Sequence, residues 1–179
     1  MPNYIRNRLI INGSKEEIEE VKNFLRTDDE EGSLDMDFRN ITPIPKWVYQ
    51  GNLGKREEEK YGKENCWYDW CCKNWGTKWN ACSATTYGNV IEFETAWCGV
   101  PELMQKLAMI FPNIEFEYMY ADEDIGNNAG HFDFKDTDVN DYSIENCSKE
   151  AYELAFDLWG LEDEYVWNEK TQEYEWKYE

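Results

Sequence analysis

A single histidine, His131, and the lack of a glycine-rich phosphate loop leave this 179-residue sequence without the usual parts for proton relays or phosphoryl transfer. No nucleophile motif is present either, so hydrolase and transferase chemistries lack their components and the chain reads as non-enzymatic, with no cofactor expected. No apolar run approaches the roughly 18 residues that a membrane span needs. Met1-Pro2-Asn3-Tyr4 opens directly into a strand pattern with no leader-like segment, so the expectation is a cytoplasmic protein, away from membranes, with reduced thiols. The six cysteines (Cys66, Cys71, Cys72, Cys82, Cys98 and Cys147) lack the paired C-x2-C spacing of a structural zinc site, which makes them core thiols beside the tryptophans. No metal is expected.

Bases are scarce where acids are dense. Residues 1–112 carry 18 acids against 14 bases, a balance of −4, whereas residues 113–179 carry 20 acids against 4 bases, a balance of −16, which together give the net charge of −20. Such a surface repels phosphate backbones and excludes ordinary DNA or RNA binding, but it attracts basic partners. The plain reading of the same charge is solubility. Aromatics, at 16%, are abundant against an apolar content of 41%, so the core is expected to be built from a few large rings.

Residues 3–12 alternate as a strand, and Ser14 with Glu17 forms a capping-box signature ahead of an amphipathic helix. Residues 27–37 read as an exposed loop, and Phe38 to Pro45 as extended because Pro43 and Pro45 disfavour helix before them. Lys55 to Tyr61 has the composition of a solvated helical turn. Trp67, Trp70, Cys71, Asn74 and Trp75 have the spacing of a short buried helix ending at Gly76. A hairpin is expected around Gly88-Asn89, a helix from Pro101 to Phe111, and strands over 114–120 and 131–135. Residues 136–147 read as irregular, Ser148 caps a helix that ends at Gly160, and the Tyr165 and Tyr174 runs predict a two-stranded ribbon. The order predicts an α+β, ferredoxin-like fold: a mainly antiparallel sheet with helices on one face, plus an acidic C-terminal helix and β-ribbon extension. Residues 1–135 would form the core, with an insertion at about 27–64, and 136–179 the extension.

Asn74-Trp75-Gly76-Thr77-Lys78-Trp79-Asn80-Ala81, Phe93-Glu94-Thr95-Ala96-Trp97 leading to Pro101, Asn3 and Asn7 in the first strand, and Phe111-Pro112 together resemble the YubB-type ferredoxin-like domain family. Its members are often encoded by phages, plasmids and other mobile elements. The resemblance covers roughly residues 1–132 and implies a ferredoxin-like core with an insertion, but no agreed activity. Asn80 stands where that family usually has an acid, Gly99-Val100-Pro101 replaces a tighter proline-rich turn, and residues 136–179 have no counterpart in it.

Two functional readings follow from charge and rings. In the first, carboxylates at Asp122, Glu123, Asp124, Asp133, Asp136, Asp138, Asp141 and Glu145, with Glu162, Asp163 and Glu164 behind them, imitate nucleic acid. They would occupy a basic host protein, a nucleic-acid-binding defence complex of CRISPR or restriction type, with this chain as monomer or homodimer. In the second, Trp75, Lys78, Trp79, Asn80 and Trp97 line a pocket for a small ligand such as a nucleotide. The same tryptophans read first as core, ahead of the pocket, and least as an exposed contact. Asp122-x-Asp124-x-Gly126 has part of a calcium-loop pattern without its closing glutamate, and reads as a solvated loop.

Overall fold

A computed structural model describes residues 3–29, 32–171 and 173–177. The chain runs through β1 (Tyr4–Asn12), α1 (Lys15–Leu25), β2 (Thr27–Asp29), β3 (Gly32–Leu34), α2 (Phe38–Ile41) and α3 (Lys55–Tyr61). A 3-10 turn (Lys63–Asn65) leads to α4 (Trp67–Asn74), β4 (Cys82–Tyr87), β5 (Val90–Ala96), α5 (Pro101–Ile110) and β6 (Glu115–Asp122). Then come β7 (Gly130–Lys135), β8 (Asp138–Asp141), α6 (Lys149–Trp159), β9 (Tyr165–Asn168) and β10 (Glu173–Trp176).

Six strands make one antiparallel sheet in the order β4-β5-β1-β6-β7-β8. The first four are those of a ferredoxin-like unit, in which β1-α1-β4 and β5-α5-β6 interleave and place β1 centrally. β7 and β8 widen the sheet beyond β6, past residue 135. The alternation in β1 sets the two faces. Ile5, Asn7, Leu9 and Ile11 are buried beneath α1, α4 and α5, while Arg6, Arg8 and Ile10 point the other way. The main core gathers Val21 and Leu25 of α1, Leu103, Met104 and Leu107 of α5, and Phe93, Phe116 and Phe134 from the sheet.

The extension covers part of the opposite face. Ala155 and Leu158 of α6 pack on Met119 and Ala121 of β6, with Ile10 and Trp159 at the margin. Trp159 donates from Nε1 to the Ala121 carbonyl, and its ring carries the Arg6 guanidinium at 4.5 Å. The β9–β10 ribbon lies on α6, with Tyr165 stacked on Phe156 and Tyr174 edge-on to it. Its strands therefore pair within their own chain.

Three local expectations change. Thr27–Asp29 and Gly32–Leu34 pair as short antiparallel strands, followed by buried Met36 and Asp37, in place of an exposed loop. Phe38 to Ile41 is helical, because the Asp37 carboxylate caps the Arg39 N–H while Pro43 and Pro45 restrain only Thr42 and Ile44. Asp138 to Asp141 is a strand, hidden in the sequence because all four of its residues are exposed and no alternation marks it.

Candidate functional site

The tryptophan block is where the insertion, α4 and the sheet meet. Trp75, 3% exposed, caps α4 and donates from Nε1 to the Thr42 carbonyl at 2.8 Å, while its ring meets Trp70 and Phe38 edge to face. Gly76 then takes φ +81°, a left-handed conformation that frees the chain to leave the helix. Buried Thr77 is bonded in both directions to Ala96 of β5, accepting its N–H at 3.1 Å and donating to its carbonyl at 2.8 Å. Asn80 ties the block to the insertion: Oδ1 accepts the Phe38 N–H and Nδ2 donates to Asp37, each at 2.8 Å. Burial pushes the Asp37 carboxyl up, but hydrogen bonds from Arg39, Thr27 and Asn80 outweigh it and hold the group below the ordinary carboxylate value. An acid at position 80 would face that carboxylate, which is the physical reason for an asparagine here.

A second buried network fixes the loop after β5. Asn7 Nδ2 donates to the Ile5 and Phe93 carbonyls and to Thr95 Oγ1, and Thr95 donates on to the Cys98 carbonyl at 2.7 Å. The Tyr118 hydroxyl donates to Asn7 Oδ1 at 2.6 Å and accepts the Val100 N–H at 2.7 Å. Between these ties Trp97 is held at φ +68°, a strained conformation for a bulky residue, with its N–H on the Asn3 carbonyl and its own carbonyl accepting from Asn128. A Cβ at Gly99 would overlap the Tyr120 ring.

These ties divide the ring cluster. Trp75 is core. Trp97, 39% exposed, and Trp79 stand with Tyr68 around the Lys78 ammonium, which lies 4.5 Å from the Trp79 ring, 5.2 Å from Trp97 and 5.9 Å from Tyr68. Behind Trp79, an open groove of about 370 Å³ runs between the insertion and α4, walled by Trp67, Trp79, Leu34 and Ile44 with Arg39 and Asn80 at its polar end. Of the five residues expected to form one pocket, Trp75, Trp79 and Asn80 line the groove, whereas Lys78 and Trp97 do not.

The nominated acids also divide. Asp122 leaves the set: it is 6% exposed, and its oxygens accept from Asn3, Asn128 and the Asp124 N–H, so it ties loops and has no face for a partner or for calcium. Asp136, Asp138 and Asp141 lie exposed along the β7–β8 edge, followed in the chain by exposed Glu145. The 145–147 segment bonds to the 126–128 loop, which brings Glu145 to the same end as Glu123 and Asp124. Asp133 is half-buried on the α6 side of the sheet, held by the Tyr142 hydroxyl. Glu162, Asp163 and Glu164 follow α6, whose eleven residues span about 16 Å, and therefore form a separate patch. Among the described residues, none of these eleven acids is in an ion pair with Lys, Arg or His.

The family described as the ferredoxin-like domain in Api92-like protein matches residues 74–175, more than half of the chain. The chain belongs to this family. No curated protein and no solved structure matches it. The matched span of this ferredoxin-like domain opens on the tryptophan block and runs through α6 into the ribbon, so residues 136–175 lie within it. β1 and α1 lie outside that span, yet β1 is central to the sheet.

Of the six cysteines expected in the core, Cys98 and Cys147 are exposed; burial pushes the Cys71 thiol up to about 12 and raises Cys66, Cys72, Cys82 and Cys98 as well. Sequence reasoning missed a different cluster. Glu117, His131 and Asp133 bring one donor atom each to within 4.8 Å of one another on the α6 side of β6 and β7. Their alternate spacing along two predicted strands was visible, but the register that puts Glu117 opposite Asp133 was not. Among the described residues, no helix is long and apolar enough to cross a membrane.

Proposed function

We propose that this ferredoxin-like domain is an interaction protein that occupies a basic, nucleic-acid-binding surface on another protein. The observation that carries the reading is the run of unpaired carboxylates along the β7–β8 edge, at Asp136, Asp138 and Asp141, continued by Glu145 with Glu123 and Asp124 at the far end. Asp138 and Asp141, three residues apart, project to opposite faces of β8 and so flank the open strand edge, where Arg or Lys side chains can each take a charge-assisted contact. The resemblance to mobile-element proteins favours a host defence complex of CRISPR or restriction type as the target, in the cytoplasm. The test is competition with labelled duplex DNA for such complexes at physiological salt, comparing the wild type with a variant carrying Asp136→Lys, Asp138→Lys, Asp141→Lys and Glu145→Lys. The wild type should displace DNA and lose its grip as salt rises. Equal displacement by the reversed variant would sink the reading.

The groove behind Trp79 favours a second reading, a small-ligand site for a planar anionic molecule such as a nucleotide, with Trp67 and Trp79 as walls and Arg39 at one end. A thermal-shift series with nucleotides at millimolar concentration checks it, since even modest affinity raises the midpoint. No shift with any of them would remove it.

A further inference from the structure

The side of the sheet that α6 crosses carries a donor cluster that neither functional reading uses as a unit. Glu117 sits on β6 directly opposite Asp133 on β7, and His131 precedes Asp133 by two residues, so all three project from the same face. Like charges placed directly opposite across a strand pair repel. Among the described residues, no lysine or arginine lies within ion-pairing distance of either carboxylate, although Arg8 shares the face, because Arg8 is taken by Glu92 and Asp157. The groups that do approach are His131, whose Nε2 is 2.9 Å from Glu117 Oε1, and Tyr142, whose hydroxyl donates to Asp133.

We propose that Glu117, His131 and Asp133 form a solvent-open binding site for a first-row divalent metal ion of the zinc or manganese type. Distance is the first support. Donors about 2.1 Å from a metal and at right angles to each other are about 3.0 Å apart, so the 2.9 Å between Nε2 and Oε1 matches the edge of an octahedral polyhedron, and the two groups need only turn from each other toward a shared ion. The outer limit of 4.8 Å among the three donors leaves the third ligand only a side-chain adjustment to make.

Donor chemistry is the second support. One imidazole and two carboxylates suit borderline ions in preference to calcium or magnesium, which take oxygen. Three protein donors leave at least one position for water, and the side chains of Glu117 and His131, 32% and 28% exposed, leave that position reachable.

Outer partners are the third support. The Tyr142 ring stacks on the imidazole with centroids 4.4 Å apart while its hydroxyl fixes Asp133, an arrangement that orients two of the three ligands at once. Backbone geometry secures the tyrosine, whose N–H donates to the His131 carbonyl at 3.1 Å. Tyr142 is a positioning residue here and does not touch the ion.

Titration of the full chain with Mn2+ followed by electron paramagnetic resonance, and with Zn2+ by calorimetry, tests the site. Mn2+ is the discriminating probe because thiols disfavour it, so the six cysteines do not compete. The expected result is one Mn2+ per chain, with affinity at least tenfold weaker in His131→Ala and in Asp133→Asn, and about tenfold weaker in Tyr142→Phe. Glu117→Gln keeps the shape of its side chain and should also bind at least tenfold more weakly, with its metal-free melting curve recorded alongside to show that it folds. Absence of Mn2+ binding to the wild type, or affinity unchanged in Asp133→Asn and Glu117→Gln, overturns the proposal. The partner reading is tested with Asp136, Asp138, Asp141 and Glu145, so either idea can fail without the other.

Discussion

Asn80 shows how one side chain can decide the chemistry of its neighbours. Its Nδ2 is one of the donors that keep Asp37 ionised while its side chain is 1% exposed, and Asp37 in turn caps α2 and holds Arg39. Asn80→Asp replaces that donor with a second carboxylate, and the two acids then share a proton whose affinity in the folded state is raised above the ordinary carboxylate value. A raised folded-state pKa means stability present at low pH and lost as pH rises. Denaturant unfolding should therefore show a loss of about 2–3 kcal/mol at neutral pH that shrinks below about pH 5. The wild-type Asp37, with its pKa lowered, has the opposite slope: its contribution is complete at neutral pH and disappears as pH falls through its folded-state value. The sequence shows Asn80 only as a departure from a resemblance. Its reason lies 43 residues away, at an aspartate that local pattern assigns to a loop. Asn7, Thr77, Thr95 and Tyr118 are alike in this respect, since polar residues inside strand and turn patterns carry no periodic signal of the network they make.

At the scale of elements, α6 is the hinge between sheet and ribbon. Its inner side rests on Met119 and Ala121 through Ala155 and Leu158, and its outer aromatics, Tyr152 and Phe156, receive Tyr174 and Tyr165 of the ribbon. Leu158→Ala opens a cavity beneath the helix and should cost about 2–4 kcal/mol. Hydrogen exchange would read the loss as faster opening of α6 and β9–β10 together, with β1 and β5 still protected, because the ribbon depends on α6. Exchange that quickened equally in β1 and β5 would contradict this division. Elements of this kind were legible where periodicity was strong, as in β1, α5 and α6 with its Ser148 cap and Gly160 stop. β8 and the paired strands β2 and β3 were not, because exposed edge strands place no alternating apolar face against a core.

For the whole molecule, charge is the dominant variable. A net −20, with 16 of those charges in residues 113–179, sets like charges along the β8 edge and after α6. Their mutual repulsion weakens as salt shortens the screening length from about 30 Å at 0.01 M to about 8 Å at 0.15 M. The melting temperature should therefore rise between those two conditions, the reverse of what a fold supported mainly by surface ion pairs would do, and calorimetry at the two ionic strengths decides between them. Regional acidity was countable from sequence. Its division into an edge and a separate patch required the crossing direction of α6.

The sheet ends differently on its two sides. β8 borders it with Asp138 and Asp141, while β4 borders it with Ser83, Ala84, Thr85, Thr86 and Tyr87 and carries no charge. Two copies could zip together through β4, whereas β8 against β8 would set aspartate against aspartate. Growth by like-on-like pairing would thus use β4 alone, consume that border in the first step and end at a pair.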